Sequence, residues 1–235
     1  MQHLTDAGLI ELWERGRDAG PVARALLLLG AARPELGEDE RLALPLPARD
    51  AALLELRIAL RGARLPGCVG CPRCGETLEF ELDGESLRQA AAAGPRDEMT
   101  LAGGLRFRLP NSGDLLAVAA AGDVDDAALA LMQRCCLAAP AGHAWSPATL
   151  AEIEDGMEAQ AVSVELQLHL QCDACAHAWS TVLDIAAWLW EESEQHVLML
   201  LDEVDRLAAA YHWSERDILA LSPARRRAYL QRCDS

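Results

Sequence analysis

Two short cysteine pairs hold the residues best suited to chemistry. One is Cys71-Pro72-Arg73-Cys74-Gly75 and the other is Cys172-Asp173-Ala174-Cys175, with 97 residues between Cys74 and Cys172. A two-residue gap lets both thiolates of a pair turn onto one metal ion. Two such pairs complete the four soft ligands of a closed tetrahedral zinc site. The reading is one structural Zn2+ site built from Cys71, Cys74, Cys172 and Cys175, tying the middle of the chain to its last third. The long intervening segment is no obstacle, because loop-closure cost grows slowly with length.

Other readings of the same thiols stand beside this one. Cys68, Cys71 and Cys74 are spaced C-x2-C-x2-C, as in an iron–sulfur run, but the usual further cysteine is missing nearby. A redox Cys-x-x-Cys needs a βαβ context that the flanking pattern does not offer. Reduced thiols without metal are the plainest alternative. Cys68 competes with Cys71 as a ligand, although Pro72 and Gly75 favour the Cys71–Cys74 turn, which leaves backbone N–H groups free to bond the sulfurs. His177, two residues beyond Cys175, reads as a solvent-facing loop residue, with a role around the metal or as a substitute ligand as its alternative. Cys135, Cys136 and Cys233 read as buried or free thiols.

Catalytic patterns do not stand out. His143, His169, His196 and His212 are scattered, and there is no glycine-rich phosphate loop, nucleophile elbow or Ser/His/Asp arrangement. Catalytic zinc keeps an open position and uses histidine or carboxylate ligands, so four cysteines argue for a scaffold. The expectation is a protein that is not an enzyme.

The chain that must position these cysteines has 235 residues, of which 51% are apolar and only 4% aromatic. Its abundant Ala and Leu favour helices. All 21 basic residues are arginine, and the net charge is −16. Nucleic-acid binding draws its affinity from cations on phosphates, so an acidic chain is a poor candidate for it. Arg57, Arg61, Arg64 and Arg73 cluster only loosely, as do Arg225, Arg226 and Arg227, and both groups read as solvated helix faces. The first residues lack a basic region followed by an apolar run, and no stretch approaches the ~20 apolar residues that span a bilayer. A soluble, cytoplasmic protein with no membrane partner is expected. Cysteines in that compartment mean metal or free thiols.

In chain order, residues 4–32 read as two helices broken at Gly20-Pro21, the first capped by Thr5 or Asp6. Residues 34–47, with three prolines, read as a loop, and 50–61 as a helix. Leu78, Phe80 and Leu82 alternate with Glu79 and Glu81, the period of a half-buried strand. A short helix and a Gly-Pro loop follow over 84–100, then a strand over 105–109. A turn at 110–114 leads to helices over 115–121, 123–137 and 147–159, the last capped by Ser146 before Pro147. Residues 163–170 form the clearest strand, and Trp179, Thr181 and Leu183 a return strand, making a hairpin with the metal at its tip. From Asp184 an apolar repeat of three to four residues predicts a helix of about 40 Å. Ser214 to Asp217, a variant capping box, and Ser222-Pro223 open two short final helices.

The C-terminal run Tyr211-His212-Trp213-Ser214-Glu215-Arg216-Asp217-Ile218-Leu219-Ala220-Leu221-Ser222-Pro223, with Arg225-Arg226-Arg227-Ala228-Tyr229-Leu230 after it, resembles a known signature. It is similar to that of the T4-like baseplate hub assembly chaperone family of contractile phage tails and related contractile injection systems. Trp179 after the second knuckle and Leu189-Trp190 in the long helix fit the same pattern. The similarity covers about residues 160–232 well and the rest loosely. It implies a non-enzymatic assembly role with baseplate, hub or spike proteins as partners.

The expected fold class is α+β, predominantly helical, with a small antiparallel zinc-ribbon-like sheet and a long C-terminal helix followed by two short helices. The expected organisation is an N-terminal helical region (1–62), a zinc-ribbon-like region with a helical insertion at about 84–160 (63–183), and a C-terminal helical region (184–235). The expected function is an assembly chaperone or adaptor. The alternative is a zinc-ribbon adaptor in a nucleic-acid or transcription-linked complex, which a positive face over Arg61, Arg64, Arg73, Arg106 and Arg108 would favour.

Overall fold

The structure is a computed structural model that describes residues 4–92, 98–101, 104–140, 142–161 and 167–233. The fold is α+β and predominantly helical, with small antiparallel sheets and a long C-terminal helix followed by two short ones.

The N-terminal helices are set by their ends. The Thr5 hydroxyl accepts from the Gly8 N–H at 3.1 Å and starts α1 (Asp6–Gly16). Pro21 then opens α2 (Pro21–Ala32), where its missing N–H costs nothing. Gly16, the last residue of α1, must be small because a Cβ there would lie 2.3 Å from the Trp190 ring. The expected loop over 34–47 is instead occupied by α3 (Glu38–Ala43) and the first turn of α4 (Leu46–Arg61). The Glu40 carboxylate accepts the Gly37 N–H at 2.7 Å and nucleates α3, while Pro47 sits in the first turn of α4, where proline is tolerated.

Two hairpins follow the same plan. β1 (Arg64–Gly70) pairs with β2 (Thr77–Asp83), from Arg64 opposite Asp83 to Gly70 opposite Thr77. β1 is unexpected from its Pro and Gly content. It forms because the Phe80 ring lies across Gly67, where a Cβ would meet it at 2.4 Å. Much later, β6 (Gln167–Gln171) pairs with β7 (Ala178–Val182). The expected strand over 163–170 is described only from Gln167, and its first residues lie outside the described ones, as does the Gly94-Pro95 loop.

Between the hairpins lies the insertion. It runs through α5 (Gly84–Ala92), β3 (Glu98–Thr100), β4 (Arg106–Arg108), α6 (Ser112–Val118), α7 (Val124–Cys135), β5 (Cys136–Ala138) and α8 (Pro147–Ala161). β4 is the centre of a three-stranded antiparallel sheet between β3 and β5. The helix expected over 123–137 ends two residues early, because Cys136 turns extended and pairs with Phe107. Phe107, Met132, Cys135 and Ile153 form a separate apolar cluster here.

The spine is α9 (Ile185–Tyr211), 27 residues or about 40 Å long. Its first half buries Ile185, Leu189 and Trp190 against Leu28 and Leu29 of α2 and Leu53 and Leu56 of α4, with Leu65 of β1 in the same core. Its second half carries Val197 and Leu200 against α1, and Leu207 against α10 (Glu215–Leu219) and α11 (Pro223–Cys233). His212 ends α9 in the left-handed region at φ 57°. The expected capping boundary is present: the Asp217 N–H donates to the Ser214 hydroxyl at 3.2 Å, and that hydroxyl donates to the Asp217 carboxylate at 2.6 Å.

Candidate metal centre

Each cysteine pair occupies the turn of a hairpin, and the two turns are near copies. In the first, the Cys71 N–H donates to the Glu76 carbonyl at 2.7 Å and the Gly75 N–H to the Cys71 carbonyl at 2.9 Å. In the second, the Cys172 N–H donates to the His177 carbonyl at 2.9 Å and the Ala176 N–H to the Cys172 carbonyl at 2.8 Å. Both turns close through a left-handed residue just after the second cysteine, Gly75 at φ 77° and Ala176 at φ 55°. Gly75 follows the usual glycine preference for this conformation, whereas Ala176 carries a Cβ into it.

The hairpins meet tip to tip. The Sγ atoms of Cys71, Cys74, Cys172 and Cys175 all lie within 4.8 Å of one another. Across the hairpins, Cys71 Sγ is 3.7 Å from Cys175 Sγ, and Cys74 Sγ is 3.6 Å from Cys172 Sγ. A tetrahedron of zinc–sulfur bonds of about 2.3 Å puts its sulfurs about 3.8 Å apart. The observed gaps are close to that value and far beyond the roughly 2.05 Å of a disulfide. The donor set therefore fits a closed four-thiolate metal site.

The turns also supply charge stabilisation. Burial pushes the Cys71 thiol up, but the N–H groups of Arg73 and Cys74, with the sulfurs of Cys175 and Cys74, hold it down to about 7. Cys175 accepts the His177 N–H, which favours its thiolate, yet burial and the three neighbouring sulfurs push it up to about 12. For Cys74 the Glu76 N–H and the Cys175 sulfur pull down, while burial, Cys172 and Cys71 push up, and the net direction is upward. Four thiolates thus repel one another without a cation, and binding a divalent ion must release protons.

The remaining sequence candidates lie elsewhere. Cys68 is exposed on β1 opposite Glu79, outside the cluster. The His177 ring stacks on Trp179 with centroids 5.9 Å apart, and its backbone, rather than its imidazole, serves Cys175. Cys135 is buried beside Asp114, and Cys233 donates to the Tyr229 carbonyl at 3.4 Å. Nor do the arginines near the knuckle gather into one positive face. Arg61 and Arg64 lie near Glu192 and Glu81, while Arg106 and Arg108 are in a different sheet, paired with Glu98 and Asp114.

Sequence patterns missed the polar groups that hold the hairpins to the spine. Arg57, 3% exposed, grips Glu192 of α9 through two bonds of 2.9 and 3.1 Å. It also donates to the Gly62 and Arg64 carbonyls at 2.7 and 2.6 Å, which fixes the base of the first hairpin. Arg226 plays the same part at the other end, joining Asp6 of α1 at 2.6 Å and Glu203 of α9 at 2.8 Å. Asp114, 1% exposed, takes Arg108 and Arg134 and caps α6 with Asn111. Only the cap had a sequence signal, in the Asn111-Ser112-Gly113-Asp114 turn.

No helix among the described residues is long and apolar enough to cross a membrane. The chain matches no family model, no curated protein and no solved structure.

Proposed function

We propose that this chain is a non-enzymatic assembly chaperone or adaptor for the baseplate, hub or spike of a contractile tail or injection system, folded around a structural zinc site. Cys71, Cys74, Cys172 and Cys175 would hold the ion, which supplies charge neutralisation and a cross-link between the hairpins. The observation that carries the zinc assignment is the tip-to-tip meeting of two hairpins whose four sulfurs lie within 4.8 Å of one another, with the two cross-hairpin gaps near the tetrahedral value. All four positions are sulfur, a ligand set suited to scaffolding rather than to activating water.

The assembly role is supported by the resemblance of the C-terminal run. In this fold that run forms the end of α9, α10 and α11. Tyr211 stacks on Trp213 there and Tyr229 meets both edge-on, with centroids 4.7 to 5.5 Å apart. The cluster keeps partly exposed aromatic surface beside Arg232, a composition favoured at protein interfaces. The test is co-purification of the zinc-loaded protein with hub or spike subunits of a contractile tail. Recovery of those subunits is the expected result. Recovery of nucleic acid alone would sink the reading.

A further inference from the structure

The first hairpin and α9 enclose an open groove of about 960 Å³. Its hairpin wall carries Glu79 and Glu81, and its helix wall carries Asp184 and Glu191, with Phe80 and Trp188 between them. Asp184, Trp188 and Glu191 recur at helical spacing, so they present one continuous stripe of α9 to the hairpin. No arginine is among the lining residues, in a chain whose net charge is −16.

The protein itself shows how such a wall receives a cation. From behind the groove, Arg57 places its guanidinium 5.4 Å from the centroid of the Trp188 ring while both its Nε and Nη2 donate to Glu192. Glu192 also lines the groove, so one of its carboxylates is already spent on an internal arginine. Glu79, Asp184 and Glu191 stay exposed around the aromatic surfaces. Carboxylates beside aromatic faces are the chemistry that selects guanidinium or ammonium groups.

We propose that this groove binds an arginine- or lysine-bearing peptide segment of a partner protein. The proposal rests on the adaptor reading above and gives it a site. The occupant follows from charge: a cationic segment meets the carboxylates of Glu79, Asp184 and Glu191, with no arginine in the lining and Arg64 beside Glu81 alone, whereas an acidic segment or a nucleic acid meets repulsion. Cationic side chains would lie over Phe80 and Trp188, as Arg57 does on the far side. The metal-tied hairpin, held at its base by Arg57, keeps the two walls at fixed separation before the partner arrives, which lowers the ordering cost of binding.

The test uses the zinc-loaded full chain and a fluorescein-labelled Gly/Ser peptide carrying four arginines, read by fluorescence anisotropy. A matched peptide with citrulline in place of arginine removes only the charge. The groove variant is Glu79→Gln with Glu191→Gln, and the control is Glu152→Gln with Glu154→Gln on α8, which changes net charge equally. The expected result is binding of the arginine peptide by wild type and control alike. The groove variant should bind about tenfold or more weakly, and the citrulline peptide should not bind. Zinc content and Tm unchanged in both variants would show that the fold is intact.

Equal weakening in both variants, unchanged affinity in the groove variant, or no binding by wild type at millimolar peptide would each overturn the proposal. So would a wild-type dimer that the groove variant dissolves, since the occupant would then be a second copy of this chain. The two readings also fail separately. If hub subunits co-purify equally with wild type and groove variant, the groove falls and the adaptor role stands. If the peptide binds as expected and no tail subunit co-purifies, the groove stands and the tail-assembly role falls.

Discussion

Cys71 and Cys175 are 104 residues apart in sequence, and their sulfurs lie 3.7 Å from each other. Cys74 and Cys172 repeat the relationship at 3.6 Å. Both contacts cross from one hairpin to the other, so the four-sulfur cluster exists only when the whole insertion between them has folded back.

Loss of any one sulfur should therefore release both hairpins. Cys71→Ser and Cys172→Ser are each expected to abolish stoichiometric zinc, measured by atomic absorption on the purified chain. Structural zinc contributes folding free energy directly, so each variant should lose several kcal/mol, or on the order of 10 °C in Tm for a chain of this size. A strong chelator should bring wild type to the same Tm. Full zinc retention in either variant would refute the shared site.

The two left-handed turn residues separate backbone cost from metal chemistry. A Cβ at Gly75 would meet nothing within 4 Å, so Gly75→Ala carries only a conformational penalty. That penalty is about 1 kcal/mol. Ala176→Gly removes the same penalty from the second knuckle, less the added chain entropy of glycine when unfolded. Gly75→Ala should lower Tm by about 2–4 °C, and Ala176→Gly should leave it level or raise it slightly. A fall in both would show that Ala176 makes contacts that outweigh its strain.

Arg57 is expected to be the most sensitive polar residue outside the cysteines. Arg57→Ala leaves Glu192 without its buried cation and frees the Gly62 and Arg64 carbonyls. Breaking one partner of a buried pair costs about 3–5 kcal/mol. Arg57→Lys should recover little, because one ammonium cannot span a bidentate carboxylate and two carbonyls. Urea unfolding of the zinc-loaded protein measures both, and a loss under 1 kcal/mol for Arg57→Ala would show that the hairpin base is held by something else.

These cross-links mark where the sequence stopped being legible. The helices of residues 4–32 and α9 were readable because apolar period and caps such as Thr5 agree with what packing requires. The second hairpin was readable because Leu168 and Leu170 alternate with Gln167 and His169 straight into the knuckle. β1 was not, since Pro66, Gly67 and Gly70 argue against a strand, and its support comes from distant residues: the Phe80 ring over Gly67, the core around Leu65 and Arg57 at the Arg64 carbonyl. α3 buries none of its residues and so has no apolar stripe to detect. The cysteine spacing pointed to four ligands, but the near-identity of the two turns depends on hydrogen bonds that no motif spells out. Arg57 and Arg226 looked like solvated helix positions because their partners lie 135 and 220 residues away.

The buried group around Asp114 gives the stability curve two pH limits. Burial disfavours the Asp114 carboxylate, but Arg108, the Asn111 N–H and Arg134 outweigh it and hold its pKa below the ordinary value. A depressed carboxylate contributes stability that is present above its unfolded pKa of about 3.9 and is lost as pH falls through the lower folded value. Cys135 does the reverse. Burial, and then the Asp114 charge, push its thiol up to about 11 from 9.0. Its stabilisation is complete below pH 9 and disappears as pH rises from there through about 11, a span worth roughly 2–3 kcal/mol. Cys135→Ala should therefore be less stable than wild type at pH 7 because of the cavity, with the gap narrowing between pH 9 and 11. Asp114→Asn should flatten the acid limb and also soften the alkaline one, because the Asp114 charge helps to raise the Cys135 thiol. Parallel alkaline curves for wild type and Cys135→Ala would place the thiol's titration outside the folded core, in conflict with its full burial among Phe107, Met132 and Ile153.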